Sequence, residues 1–211
     1  PMVLPPTVCG YFLLLIFGTK RPIGIFLMQF GIKFVMTWYG GILAAALLGL
    51  FGITIEGLCY FGIYRLMAAS SPGYAHRYRT GILGYVIFGG CGFHVPVCAA
   101  VFLTRHGAAL ELIAQYAAYF LLPAFVLFWI SFAVLEITQI QAFAKGLTPY
   151  PKWCWVFSLP VGMAVAMLPN VFGNLPWVNA LSCAWISVGN LWMFGGLLAL
   201  LKKARAQSLQ P

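Results

Sequence analysis

The chain has 211 residues, is 63% hydrophobic and 7% charged, and carries a formal net charge of +9. Soluble domains carry about 25% charged residues, so this chain cannot cover a surface that faces water on all sides. Its basic residues sit in short clusters between apolar runs, which is the pattern of membrane-protein loops and not of a nucleic-acid-binding face.

The expected fold is all-α: a polytopic transmembrane helical bundle of about six spans plus one interfacial segment, filling residues 1–211 as a single transmembrane domain. Hydrocarbon offers no partner to an open strand edge, so each span has to be helical. The first apolar run, Val8 to Gly18, is shorter than the ~20 residues a span needs. Either its helix begins at Pro1 or residues precede it. It lacks the basic start and small-residue cleavage site of a signal peptide. Residues 23–36 are apolar but short and carry Lys33, which suits an interfacial segment. The further spans are expected at about Trp38–Met67, Thr80–Thr104, Leu110–Phe143, Trp153–Pro169 and Trp177–Leu201.

Loop charges orient this bundle. One set of loops holds Arg65, Arg77, Arg79, Lys145, Lys152, Lys202, Lys203 and Arg205; the other holds Lys20, Arg21, Lys33 and Arg105. The richer set is expected inside, which places the protein in the cell membrane with a cytoplasmic C-terminus and the uncharged Asn170–Pro176 connection outside. Trp38, Trp153, Trp155 and Trp177 fall near span ends, where indoles anchor at the headgroups.

The six cysteines form no C-x-x-C pair and read as small apolar packing residues. No metal site and no cofactor are expected. A bis-histidine haem needs two histidines at one depth, whereas His94 and His106 are twelve residues apart on one helix, ~18 Å. No G-x-S-x-G, H-E-x-x-H or P-loop occurs.

Several local patterns occur together. They are the glycines of the second span (Gly40, Gly41, Gly49, Gly52), Ser71-Pro72, and Gly89-Gly90-Cys91-Gly92-Phe93-His94. Pro149-Tyr150-Pro151-Lys152-Trp153 and Trp185 with Gly189-Asn190-Leu191 complete the set. From about Trp38 to Lys203 the chain resembles a family of small bacterial multi-pass membrane proteins known only as a domain of unknown function. The family's first span ends in a Gly-Asp pair, and here Gly10 is followed by Tyr11, so the acid is absent. The resemblance implies a helical bundle and no particular activity.

An ionisable side chain inside a span costs on the order of 2.5–3.5 kcal/mol, so such residues are candidates for function. The chain has three acids. Glu111, at the start of the fourth span, complements the helix N-terminal dipole and reads as structural. Glu56 shares a helix face with Ala45, Gly49 and Gly52, small residues that admit a neighbouring helix. His94 lies mid-span, and Pro96 behind it frees the carbonyl of Gly92. At 1.5 Å per residue, Glu56, His94 and Asn190 agree in depth within ~6 Å.

The expected site therefore has Glu56 and His94 as a catalytic acid/base pair, with Asn190 orienting a substrate oxygen. Trp129 and Phe132 line its apolar wall. Glu136 and Gln139 stand nearer the cytoplasmic mouth, and Ser187 belongs to the polar stripe of Asn179, Cys183 and Asn190. Three functions compete. The first is an intramembrane isomerase, cyclase or hydratase acting on an isoprenoid-, sterol- or lipid-like molecule. The second is a small transporter or lipid-binding protein. The third is a structural or assembly subunit whose polar residues glue helices together. The expected partners are membrane lipid and a lipophilic small molecule, with no nucleic acid; the sequence does not specify an oligomeric state.

Overall fold

The computed structural model describes residues 18, 20–29, 38–173 and 175–208. The first expected span falls outside them, as does the second half of the interfacial segment, whose first half is helix α1 (Pro22–Gln29). Three stretches are long and apolar enough to cross a membrane: Ala46–Ala68, Pro72–Arg105 and Leu110–Ala144. They contain α2 (Trp38–Ala68), α3 (Pro72–Val86) with α4 (Val95–Arg105), and α5 (Leu110–Tyr116) with α6 (Leu122–Ala144). A fourth counts if α8 (Pro176–Cys183) and α9 (Trp185–Ser208), bent by 70° at Ala184, form one span. The described residues are helices and connections without a strand, so this is an all-α membrane protein.

The fifth expected span, Trp153–Pro169, is not one helix. Lys152–Val156 forms a 3-10 turn, Ser158 is extended, and α7 covers only Leu159–Met167 before a second 3-10 turn at Leu168–Phe172. Prolines account for this. Pro160 fits only a first turn, and Pro169 removes a donor where the α-helix would have to continue. The resulting apolar helix is too short for a hydrocarbon core of about 30 Å.

The chain divides into two compact units. The first comprises Pro1–Ile55 and Val86–Phe128, the second Glu56–Tyr85 and Trp129–Pro211. Each unit draws on separated stretches of the chain.

In the first unit, the backbone between α3 and α4 widens into a π-helix over Ile87–His94. Pro96 lies just beyond it, so the ladder that proline would interrupt is already loosened on its N-terminal side. The carbonyl of Pro96 accepts a hydrogen bond from the Tyr116 hydroxyl at 3.1 Å, tying α4 to α5. Glu111 lies in the first turn of α5, as its dipole role requires, and accepts from Gln115 at 3.4 Å. On the small-residue face of α2, Gly49 is covered by the His94 ring, whereas a methyl on Gly52 would meet nothing. The close packing expected along that face is thus local to Gly49.

The second unit is held by backbone approaches at small residues. A methyl on Gly162 of α7 would lie 2.7 Å from the Cα of Gly189 on α9. One on Gly81 of α3 would lie 2.8 Å from the backbone of Leu135 on α6. Helices in lipid associate through such contacts because apolar burial gives them no advantage over lipid tails. Around these points the buried faces are Tyr60, Ile63 and Met67 on α2; Ala75, Tyr78, Ile82 and Tyr85 on α3; and Leu135, Gln139, Ala142 and Phe143 on α6. The loop after α6 turns at Gly146, which has φ 70° and ends the helix with Leu147 N–H donating to the Ala142 carbonyl at 2.8 Å. That loop is pinned to α9, where the Tyr150 hydroxyl donates to the Leu197 carbonyl at 3.2 Å and Trp192 Nε1 donates to the Val156 carbonyl at 2.8 Å.

Candidate functional site

The polar residues of the second unit converge. On α2, Glu56 and Tyr60 are four residues apart and share a face. On α3, Tyr78, Gly81 and Tyr85 recur at three and four. On α6, Glu136 and Gln139 are three apart. Because Gly81 lets α3 approach the backbone of Leu135, the two tyrosines one turn to either side of it lie beside the polar face of α6 and the middle of α2, which carries Glu56.

The bonds follow from that placement. The Tyr85 hydroxyl donates to Glu56 Oε1 at 2.8 Å, and the side chain of Asn190 on α9 stands beside the same carboxyl. Tyr60 donates to Glu136 Oε1 at 3.1 Å, and the backbone N–H of Leu159 donates to Glu136 Oε2 at 3.2 Å. Tyr78 donates to Gln139 Oε1 at 2.6 Å, while Gln139 Nε2 donates to the Met193 sulfur at 3.2 Å. The rings close the space between them: Tyr60 meets Tyr85, Tyr78 and Phe194 edge to face, with centroids 5.9, 6.2 and 5.3 Å apart.

The two carboxyls are unlike. Glu136 is 2% exposed and both its oxygens accept a bond. Leu159 is the first residue of α7, whose N-cap Ser158 makes no side-chain cap bond. Glu136 therefore caps a helix from another part of the chain, where a carboxylate also complements the dipole. Glu56 is only partly buried. Three buried side-chain oxygens of the second unit, Thr148 Oγ1, Ser158 Oγ and Asn190 Oδ1, have no hydrogen-bond partner.

Six of the expected site residues fall in this unit's interior region. Glu56 and Asn190 stand beside each other. Phe132 lies 6.2 Å from Tyr85 and 5.3 Å from Trp129, which in turn stands 6.5 Å from Trp185. Glu136 and Gln139 belong to the cluster, but Glu136 is enclosed and not at a mouth; the N-terminus of α7, absent from any helix reading of 153–169, covers it. Ser187 is exposed, and the stripe it was expected to share with Asn179 and Cys183 is split by the bend at Ala184. His94 belongs to the first unit, where its ring covers Gly49 and meets Phe93 at 6.1 Å, so its expected pairing with Glu56 concerns residues of separate units.

Sequence reasoning passed over Tyr60, Tyr78 and Tyr85. The available signal was a set of phenol hydroxyls inside apolar helices, at helical spacing from Glu56 and from each other. Buried hydroxyls need partners just as acids do. The Leu159 N–H carries no sequence signal at all. Among the described residues, no group of three His, Cys, Asp or Glu side chains is placed to hold a metal ion.

A family model matches residues 23–204. The chain belongs to DUF6796, a family of unknown function. The DUF6796 match contains the whole stretch, Trp38 to Lys203, on which the resemblance rested. It also contains every carboxyl, phenol and amide of the cluster. A 49-residue stretch, 23% of this DUF6796 chain, is 49% identical to the molybdenum transport system permease protein ModB of Escherichia coli K12. The same identity and length are found with ModB of Escherichia coli O157:H7. The match covers 21% of either permease, so the chain spans about a fifth of the length of the curated relatives it matches. No solved structure matches the chain.

Proposed function

We propose that this protein is an intramembrane acid/base or binding centre for a lipophilic molecule, with Glu56 as the group that meets the ligand. The observation that carries this reading is the contrast between the two carboxyls. Glu136 has both oxygens committed and is closed off, as a structural cap would be. Glu56 is held by Tyr85 and flanked by Asn190 but remains partly open, within a helix apolar enough to span a membrane. A carboxyl left open there is costly unless a partner covers it. Phe132 and Trp129 supply an aromatic wall beside Tyr85.

Double-bond isomerisation fits such a centre. A carboxylic acid delivers a proton to one carbon of the double bond, and the resulting carboxylate removes one from the carbon on the far side of the cation so formed, two positions away. The step leaves the acid unchanged and needs no oxidant or reductant. The orientation that accompanies this reading has the C-terminus in the cytoplasm, from the loop-charge asymmetry.

A second reading, a small transporter, draws on the bend between α8 and α9 and on the short likeness to a permease. Discontinuous helices are common at transporter binding sites.

Mass spectrometry of lipids that co-purify with the detergent-solubilised protein tests the first reading. A discrete lipophilic species is expected with the wild type and with Glu136→Gln, and its loss is expected with Glu56→Gln. If no species is enriched, or if Glu56→Gln retains it undiminished, Glu56 is packing glue and the structural-subunit reading takes over.

A further inference from the structure

We infer that Lys145, Lys152 and Tyr74 form a headgroup site for an anionic phospholipid, whose phosphate is taken by the two ammonium groups and the phenol hydroxyl. The three residues belong to the second unit. Nothing in the site involves Glu56, so it stands or falls independently of the ligand proposed there.

The turn that ends α6 brings the two lysines together. Lys145 directly follows the last residue of that helix. Gly146 then takes φ 70°, the left-handed turn that closes the helix end. A methyl on Gly146 would stand 3.2 Å from Lys152 Cε, so the Lys152 side chain folds back over the residue next to Lys145. Lys145 is itself held: its Nζ donates to the hydroxyl of Tyr74, in the first turn of α3.

The group is all donors. An ammonium carries three donors and no acceptor, and a phenol adds one more donor. Lys145 spends one of its donors on the Tyr74 oxygen. The Tyr74 proton and the remaining ammonium donors have no protein acceptor among the described residues. Of the chain's three acids, Glu111 belongs to the first unit, while Glu56 and Glu136 are bonded inside the second. Glu136 lies nine residues before Lys145 on the same helix, ~13 Å away along its axis. Lys145 and Lys152 are exposed and Tyr74 is half-buried, so a ligand reaches all three from outside.

Place decides between a dissolved anion and a lipid. Tyr74 stands near the start of the apolar stretch Pro72–Arg105, and Lys145 follows the end of Leu110–Ala144. Both stretches are long and apolar enough to cross a membrane, so the donors sit where spans leave hydrocarbon for headgroups. Trp153 and Trp155, exposed in the turn that Lys152 begins, mark the same level, because indoles settle among headgroups. A phosphate diester supplies both the acceptors and the negative charge that this group lacks. The choline of a zwitterionic lipid would set a further cation against the two ammoniums.

The test is native mass spectrometry of the detergent-solubilised full chain. The probes are dioleoylphosphatidylglycerol and dioleoylphosphatidylcholine, which share their acyl chains, with inorganic phosphate as competitor. The glycerol lipid is expected to bind at least about fivefold more tightly than the choline lipid, the scale of one lysine near a membrane surface. Lys145→Gln combined with Lys152→Gln should abolish that preference and leave choline-lipid binding unchanged, which also shows that the variant is folded. Tyr74→Phe removes no charge, yet it should weaken the glycerol lipid about threefold, the scale of one hydrogen bond. Arg105→Gln, which removes a charge from the first unit, should change neither lipid. Equal binding of the two lipids overturns the inference. So does a preference that survives the double variant, that is untouched by Tyr74→Phe, or that falls as far with Arg105→Gln, the mark of net charge alone. Displacement of the glycerol lipid by an equal concentration of inorganic phosphate would assign the group to a soluble anion and overturn the lipid.

Discussion

Gly81 of α3 lies against Leu135 of α6 so closely that a methyl on Gly81 would stand 2.8 Å from both the Leu135 nitrogen and its Cα. Backbone cannot yield as a side-chain tip can. Gly81→Ala should therefore push α3 away from α6 and stretch the Tyr78–Gln139 bond one turn away. The expected cost is about 1–3 kcal/mol, the range for overpacking a well-filled contact. A thermal-unfolding midpoint in detergent measures it. Gly52→Ala, where a methyl meets open space, is the control and should change little. Equal stability of the two variants would remove the close approach from the account of the site.

Replacing Glu136 should reveal its two bonds separately. Glu136→Gln keeps an oxygen that can accept from either Tyr60 or the Leu159 N–H, whereas Glu136→Leu accepts from neither. An unsatisfied buried donor costs about 1–3 kcal/mol, so the leucine variant should be the less stable by at least that margin. Proteolysis or hydrogen exchange localised to α7 reads the same effect, because Ser158 offers that helix no side-chain cap. If Glu136→Leu is as stable as wild type, Glu136 is not the cap.

The cysteines supply a test of burial outside the spans. Cys154, in the 3-10 turn, is fully enclosed, and burial pushes its thiol above the ordinary range. Less thiolate and less access both slow alkylation. Single-cysteine variants in detergent should show Cys154 reacting at least about tenfold more slowly with a maleimide than Cys183, which is exposed. Comparable rates would show that the 152–156 turn opens readily.

The orientation proposed from loop charge has a direct check. A cysteine introduced at Asn174 should be labelled by an impermeant reagent in intact cells, and one at Arg205 should be protected until the cells are lysed. The reverse pattern would invert the bundle, and labelling at both positions would change the parity of the spans between them.

The sequence by itself determined the membrane character and the helical class. Composition decides the first, since 7% charged residues cannot cover a water-facing surface. The second follows because hydrocarbon satisfies no backbone donor or acceptor. It also picked out Glu56, Glu136, Gln139 and Asn190, because polar groups in apolar helices stand out wherever the chain folds. Only the tertiary structure decided what those groups meet. The partners Tyr60, Tyr78 and Tyr85 depend on which helix faces come together, and that is set by backbone approaches such as Gly81 to Leu135 and Gly162 to Gly189. The division of Glu56 and His94 between two units lies at the same level. So does the bend at Ala184, which has neither proline nor glycine beside it in the chain. Helical periodicity tells which residues share a face, but it does not tell which other face lies opposite, because that is decided by contacts between residues far apart in the chain.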